Sequence, residues 1–265
     1  MRISRQNYYA RRRQRQRRQV DGELVAELVK KERQLQPRIG TRKLQVLLKE
    51  ELKEAGVKIG RDRFFEELRR RELLVKRQPA EYPRTTHSSH SLPIFRNLVK
   101  DRSVRRPNEV WVSDITYLRT TEGFLYLALL TDRYSRKIVG YHCADTLETV
   151  GCLKALEMAL GNLPTGAKPI HHSDRGCQYC CHQYVEKLRA HGLCVSMTET
   201  NHSAENALAE RVNGILKSEY LLSYEFRSKA QARHSVDQAV MLYNTRRPHS
   251  SLEMQIPETV HSLSA

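Results

Sequence analysis

Three acidic residues stand where a surface carboxylate is not expected. Asp114 lies inside an apolar stretch, Trp111-Val112-Ser113-Asp114-Ile115, where an acid is costly unless it is paired or bound to a metal. Asp174 follows a short apolar run and precedes a glycine-containing turn, and such strand ends are where α/β sheets place their chemistry. Glu210 lies in a helical stretch, on a face that its apolar neighbours do not share.

Three carboxylates from two strands and a helix can hold a pair of hard divalent ions. Mg²⁺ prefers oxygen ligands and keeps several waters, and Mn²⁺ accepts the same donors. Two such ions can activate an oxygen nucleophile and stabilise the leaving oxygen of a phosphodiester. Metal-dependent phosphoryl transfer is therefore the chemistry that these acids predict. The alternative for any single acid is a surface ion pair, and we assign that role to Glu205 and Asp132.

The elements that would position the acids follow a recognisable order. Three β-forming stretches with short links, 109–119, 124–131 and 137–143, predict an antiparallel meander. Helices and strands then alternate, with helices at 147–160, 182–191, 205–220 and 229–243 and strands at 170–173 and 194–197. This order predicts an α/β domain with a mixed five-stranded sheet, and it fits a ribonuclease-H-like fold as well as other αβ folds.

The front third of the chain has a different character. Residues 1–100 hold 27 Lys and Arg against 12 Asp and Glu, whereas residues 101–265 hold 19 against 18. Helices are expected at 22–35, 41–56 and 61–71, preceded by a basic run at 11–18. A short glycine-containing turn before a basic third helix is typical of a helix-turn-helix module, and this charge predicts a polyanionic partner. Arg61 and Arg63 are the DNA-contacting candidates on that helix.

We therefore divide the chain into a basic arm and helix-turn-helix domain (1–78), a linker (79–107) and a catalytic core with C-terminal helices (108–265). The linker holds Pro79, Pro83, Pro93 and Pro107, although its apolar residues can pack on either neighbour. The sequence has no run of 18 apolar residues and no secretory signal, so neither a membrane span nor export is expected. The six cysteines are expected to be reduced thiols in a cytoplasmic protein.

Four segments resemble a known family. They are WVSDITYL at 111–118, HHSDRGCQY at 171–179, ENALAERVNGILKSEY at 205–220 and YNTRRPHSSL at 243–252. They are similar to segments of DDE transposases of the retroviral-integrase superfamily, in particular the OrfB product of IS3-type insertion sequences. Thirty-five residues separate Asp174 from Glu210, the spacing of that family's DD(35)E triad. SRQNYYARRR at 4–13 and GTRKLQVLL at 40–48 resemble its N-terminal region.

The resemblance implies that Asp114, Asp174 and Glu210 bind two Mg²⁺ ions and catalyse DNA cleavage and strand transfer. It also implies binding of terminal inverted repeats and target DNA, a homo-oligomer on DNA, and a frameshift fusion with an upstream OrfA. It favours a DNA or active-site role for Arg246 and His249. Lys217, two helical turns after Glu210, is a further candidate for contact with DNA.

Three alternatives stay open at this point. Cys177, Cys180, Cys181 and His182 resemble zinc ligands, but they are too compressed for two well-spaced pairs, and we expect small thiols instead. His171 and His172 are expected to be satisfied core histidines rather than ligands. The chain as a whole could instead be a simple nuclease or a DNA-binding protein without catalysis.

Overall fold

The computed structural model describes residues 4–76, 91–199 and 203–263. The chain divides into two compact units, Met1–Gln78 and Pro79–Ala265, each with its own hydrophobic core. Residues 79–90 of the predicted linker lie outside the described residues. No helix in the described part of the chain is long and apolar enough to cross a membrane.

The described part of the front unit is all-helical. Its helices are α1 (Arg5–Leu35), α2 (Thr41–Leu47), α3 (Lys49–Glu54) and α4 (Arg61–Arg70). Ser4 caps α1, since its side chain accepts a hydrogen bond from the Asn7 amide at 3.3 Å. The basic run at 11–18 is thus the exposed first half of α1, which begins 17 residues before the predicted start.

Two details of the predicted front unit were wrong. The expected second helix is divided at Leu48, whose backbone (φ −91°, ψ 4°) departs from helical geometry while its side chain stays buried. Phe65 was expected in the buried face of α4 but is 38% exposed, with the Arg69 guanidinium 4.9 Å from its ring centre. A cation over the ring partly covers an aromatic side chain at the surface, which explains this placement.

The rear unit contains a five-stranded sheet of order β3-β2-β1-β4-β5. Its strands are β1 (Val110–Thr120), β2 (Gly123–Asp132), β3 (Ile138–Ala144), β4 (Ile170–Ser173) and β5 (Cys194–Met197). The pairs β1–β2 and β2–β3 are antiparallel, whereas β1–β4 and β4–β5 are parallel. The predicted meander and the mixed five-stranded sheet are both confirmed.

Helices cover both faces of this sheet. They are α5 (Thr149–Gly161), α6 (Cys177–Cys180), α7 (His182–Ala190), α8 (Ala207–Glu219), α9 (Lys229–Thr245) and α10 (Pro257–Leu263). Ala128 and Leu130 of β2 pack with α5, α6 and α7, whereas Leu127 and Leu129 pack with α8 and α9. This alternation follows from the two-residue period of a strand. Two separate cores therefore hold β1, the central strand, between them.

Two contacts hold neighbouring segments of the chain against the sheet. A Cβ atom added at Gly140 of β3 would lie 2.2 Å from the carbonyl oxygen of Ala155, so α5 approaches β3 where no side chain intervenes. The segment 97–99, in the predicted linker, packs on the core, because Val99 is buried and the Leu98 amide donates to Ser196 Oγ at 2.8 Å. Residues 97–99, within the predicted linker, therefore belong structurally to the rear unit.

Candidate active site

Asp114 occupies the middle of the central strand. Its Oδ2 accepts a hydrogen bond from Asn213 Nδ2 at 2.8 Å, and its Oδ1 accepts one from the Ile115 amide at 2.9 Å. Burial and the neighbouring carboxylate of Asp174 raise the pKa of Asp114 to about 7, although the bond from Asn213 acts in the opposite direction. The hydrogen bonds therefore hold this acid in place, but its surroundings do not fully compensate the negative charge of its ionised form.

Asp174 follows β4, the strand parallel to β1. Ser173 lies opposite Ser113 in the register, so the next residue of each strand is an aspartate. Asp174 Oδ1 accepts a hydrogen bond from the Gly176 amide at 3.0 Å. A Cβ atom at Gly176 would also lie 3.0 Å from that oxygen, so the turn leaves little room for a larger residue. Adjacent parallel strands bring two acids together that are 60 residues apart in the chain.

Glu210 lies on the first turn of α8, which packs against β1 and β2, and its side chain is exposed. Partial burial and the charge of Asp174 raise its pKa above the usual range. The carboxylate of Glu210 also raises the pKa of Asp114. The three acids selected from sequence thus lie within reach of each other's electrostatic field.

The donor set suits hard divalent cations. It consists of carboxylate oxygens, which are the ligands that Mg²⁺ and Mn²⁺ prefer. Burial and then the neighbouring carboxylates raise the pKa values of Asp114 and Glu210, and a bound cation would favour their ionised forms. Among the described residues, no three His, Cys, Asp or Glu side chains are already gathered closely enough to hold one ion. Binding would therefore require a side-chain adjustment, and Glu210, exposed on its helix, has the most freedom.

Two asparagines that sequence reasoning did not select for a role support the site. Asn213 is buried and donates to Asp114, and Asn206 Nδ2 donates to the carbonyl oxygen of Ser113 at 2.9 Å. Both join α8 or its preceding turn to the central strand. The available signal was spacing, since Asn213 is three residues after Glu210 and shares its side of the helix.

The two histidines of β4 are core residues. His171 Nε2 lies 2.7 Å from Ser113 Oγ and 2.9 Å from the Tyr184 hydroxyl, and burial lowers its pKa to about 3. His172 Nδ1 lies 2.9 Å from Ser196 Oγ, and burial lowers its pKa to about 4. Both rings are neutral near pH 7 and tie β4 to its neighbours.

The zinc candidates do not converge. Cys180 is buried with its Sγ 3.6 Å from Met197 Sδ, whereas His182 is mostly exposed and its Nε2 lies 3.2 Å from Glu186 Oε1. In the part of the chain that the structure describes, they belong to no group of three or more possible metal ligands. Cys180 is a packing group of the core, whereas Cys177 and Cys181 are partly exposed.

One of the two acids assigned to surface ion pairs was misassigned. Asp132 is fully buried, and its carboxylate accepts hydrogen bonds from the Asn108 amide at 2.8 Å and from Ser135 N and Oγ, both at 2.7 Å. It organises the turn after β2, where buried polar groups must be bonded. Glu205 Oε2 accepts bonds from Asn97 Nδ2 at 3.1 Å and from the Glu199 amide at 2.6 Å, so it also holds loops.

Lys217 lies beside the acids. Its Nζ is 4.5 Å from the centre of the Tyr117 ring, and burial lowers its pKa, an effect that the Asp114 carboxylate partly opposes. A half-buried ammonium near the Asp114 carboxylate has a favourable position for a phosphate that approaches this acid.

The residues of the C-terminal loop differ in their exposure to solvent. Arg247 is 2% exposed and makes two 2.8 Å hydrogen bonds with the carboxylate of Glu219, and its Nη1 lies 2.8 Å from His249 Nε2. His249 is therefore buried in a structural network, which gives no support to its candidacy as a DNA contact. Arg246 is half-buried and stays a candidate.

The two candidate DNA-contacting residues on α4 remain accessible to solvent. The side chain of Arg61 is 69% exposed and pairs with Asp62 at 2.9 Å, and that of Arg63 is 40% exposed and lies 3.7 Å from Asp21. Exposed ion pairs of this kind are weak, so DNA phosphates can displace them.

Comparison with known proteins agrees with this geometry. Two family models described as "Integrase core domain" match residues 104–203 and 191–257. A Shigella sonnei protein described as the insertion element IS600 uncharacterized 31 kDa protein is 38% identical over 232 residues, covering 85% of this chain and 84% of that protein. The transposase InsF for insertion sequence IS3A of Escherichia coli K12 is 34% identical over 183 residues, 68% of this chain and 64% of that transposase.

A solved structure shows the same fold. The simian T-cell lymphotropic virus intasome, in complex with PP2A regulatory subunit B56 gamma, contains a chain that matches 84% of this one with a TM-score of 0.52 and 15% identity, covering 70% of that chain. The matches to the integrase-core models and to a transposase place this protein among the DDE polynucleotidyl transferases. More particularly, the chain belongs to the IS3-type family of DDE transposases.

Proposed function

We propose that this transposase cleaves DNA at the ends of an insertion sequence and joins the freed strand to target DNA, using Asp114, Asp174 and Glu210 as its DD(35)E triad. The observation that carries the assignment is the position of Asp114. It is hydrogen-bonded by Asn213 and lies next to Asp174, with a pKa raised to about 7. Strongly perturbed acids of this kind are concentrated at catalytic sites.

The three acids act together in the proposed site. Asp114, Asp174 and Glu210 would together hold two Mg²⁺ ions, with Mn²⁺ as the substitute. When bound, the ions supply activation of the attacking oxygen and neutralisation of charge at the phosphodiester. The chain orients these acids through Asn213 and the Gly176 turn, and Lys217 positions the phosphate.

The reaction needs no covalent enzyme intermediate. Water attacks a phosphodiester at the element end and releases a 3′-hydroxyl, and this hydroxyl then attacks a second phosphodiester, whose own 3′-oxygen departs. Each step exchanges one P–O bond for another, so atoms and charge balance. The helical front unit, through Arg61 and Arg63, would bind terminal inverted repeats in a cytoplasmic, nucleoid-associated complex. A homo-oligomer would pair two ends, and a fusion with OrfA is a further expected form.

The test is strand transfer on labelled DNA that carries the element's own ends, with Mg²⁺, for the intact chain and Glu210→Gln. Joined products that disappear in the variant support the proposal. The matched control is Glu225→Gln, an exposed acid of the same unit, which should keep activity. Hydrolysis without joining, from a pre-cut donor, would indicate a nuclease. Binding with neither reaction, with or without OrfA, would indicate a DNA-binding protein without catalysis.

A further inference from the structure

A pocket of about 530 Å³ lies in the rear unit, away from the three acids. It is formed by the segment before β1, the turn between β2 and β3, and the loop that precedes α10. Three arginines line it, Arg102, Arg133 and Arg136, against one carboxylate, Glu253. The pocket is therefore cationic, and Ser251 and Gln255 add neutral hydrogen-bonding groups to its wall.

The chain fixes two of these arginines. Arg133 donates from Nη1 to the carbonyl oxygen of Val99 at 3.1 Å, and its amide donates to the carbonyl oxygen of Val110 at 2.9 Å. Arg136 has a backbone φ of 65°, a left-handed conformation that is uncommon for a residue other than glycine. The turn imposes it, since the Arg136 amide donates to the carbonyl oxygen of Asp132 at 3.0 Å.

Arg136 is half-buried, and its guanidinium makes no hydrogen bond or ion pair within the ranges that the structure describes. Burial lowers its pKa and the like charge of Arg133 adds to that effect, whereas Tyr243 and Asp132 partly oppose it. The nearby Asp132 already accepts three hydrogen bonds from neutral donors. A confined cation beside a second cation is costly for the fold unless an anion joins them.

We propose that this pocket binds a backbone phosphate of DNA at a second point, separate from the three acids. Arginine forks match the oxygens of a phosphate group, and contacts of this kind position a duplex without reading its sequence. The inference rests on the proposed function, because it takes the phosphate from the DNA on which the acids act. It adds a contact that none of the candidate DNA-binding residues supplies.

The distance along β1 between the pocket and Asp114 is compatible with the dimensions of a DNA duplex. The Arg133 amide bonds to Val110, four residues before Asp114 on the same strand, which corresponds to about 13 Å along β1 at roughly 3.3 Å per residue. That length is close to the rise of about four base pairs of B-DNA. A duplex is long enough to span this distance from the acids, whereas a free phosphate ion would occupy only a small part of the pocket volume.

The test compares DNA binding by the full chain and by the double variant Arg102→Gln, Arg136→Asn. Asparagine tolerates the left-handed backbone at position 136, and Arg102 is exposed, so both changes should preserve folding. Fluorescence anisotropy of a labelled duplex in EDTA at several salt concentrations gives the slope of log K against log salt. We expect the magnitude of that slope to be smaller by about 1 to 2 in the double variant, because each lost phosphate contact reduces the magnitude by about one. Arg227→Gln, an exposed arginine outside the pocket, should leave it unchanged.

A second measurement uses the wild-type chain and needs no variant. Phenylglyoxal modifies accessible arginines, so DNA should protect Arg102 and Arg136 from it, whereas inorganic phosphate at equal phosphate concentration should not. An unchanged slope together with unprotected arginines overturns the proposal. Binding of inorganic phosphate can be measured by calorimetry. If the wild type binds it, the double variant does not, and the salt slope of DNA binding is the same for both, then the pocket binds free phosphate and the proposal that it binds a DNA phosphate is overturned. Because binding is measured without metal, failure of strand transfer leaves this result intact, and failure here leaves the Glu210→Gln result intact.

Discussion

At the scale of single residues, Asn213 controls the charge on Asp114. Its amide is the side-chain donor to Asp114, and it lowers the pKa that burial raises. Asn213→Ala should reduce strand transfer at neutral pH by about 10- to 100-fold, the usual cost of removing a group that orients a metal ligand. Activity should recover partly at higher pH, because Asp114 then loses its proton more completely.

The measurement is the pH profile of strand transfer for Asn213→Ala beside Ser218→Ala, an exposed change on the same helix. The control should follow the wild-type profile. An unshifted profile for Asn213→Ala would contradict the positioning role and leave Asn213 as a packing residue.

The raised pKa of Asp114 also predicts how stability depends on pH without metal. Between its ordinary value of 3.8 and about 7, the folded protein binds more protons at this acid than the unfolded chain does. Stability therefore falls as pH rises through this window. Thermal melts in EDTA from pH 4 to pH 8 should show a steeper fall for wild type than for Asp114→Asn, which cannot ionise. Added Mg²⁺ should stabilise wild type more at pH 8 than at pH 5, and equal stabilisation at both would argue against metal binding at Asp114.

At the scale of elements, the site depends on how closely α5 approaches the sheet. Gly140→Ala places a Cβ against backbone of that helix, which cannot move without separating α5 from β3. We expect a destabilisation of about 1–3 kcal/mol, the range for overpacked cores. Gly161→Ala, at the end of the same helix, meets nothing within 4 Å and should be neutral or slightly stabilising. Denaturant unfolding of both variants checks this, and equal midpoints would contradict it.

Elements with a simple pattern were predicted closely from sequence. The strands Ile170–Ser173 and Cys194–Met197 match their predicted bounds, because each is a short β-forming run bounded by turns. The first half of α1 has no apolar periodicity, and good helix formers such as Arg and Gln extend the helix there instead. A pattern of apolar residues cannot reveal a helix that buries nothing.

The site itself was predictable only in part. The strand and turn positions of Asp114 and Asp174 carried chemical meaning in the sequence, and Glu210 followed from helix pattern and spacing. The bond from Asn213 to Asp114 was not predictable, because it depends on how α8 is oriented against β1. Likewise, the burial of Asp132 involves a bond from Asn108, 24 residues earlier, and His249 lies beside Arg247, which bonds to Glu219, 28 residues earlier. Sequence gives the type of a group more readily than its exposure.

At the scale of the whole molecule, charge is divided between the two units. The first 100 residues carry a surplus of 15 positive charges, and the arginines of the first half of α1 are exposed. Replacing Arg11, Arg12 and Arg13 with Gln should lower the salt slope of DNA binding by up to about 3 and leave the melting temperature unchanged. The same replacement at three exposed arginines of the rear unit, Arg105, Arg119 and Arg227, is the control, and an equal loss there would show that charge position does not matter.

The order of elements along the chain sets when the catalytic centre can exist during synthesis. Asp114 and Asp174 lie on the sheet, but Glu210 and Asn213 belong to α8, which follows all five strands. A ribosome that stops between residues 174 and 210 releases a chain with the helical front unit and two of the three acids. Such a product retains the arginines expected to bind DNA and lacks Glu210, the third acid of the proposed triad. Interrupted translation would thus yield a truncated protein that binds the ends of the element and competes there with the full-length enzyme.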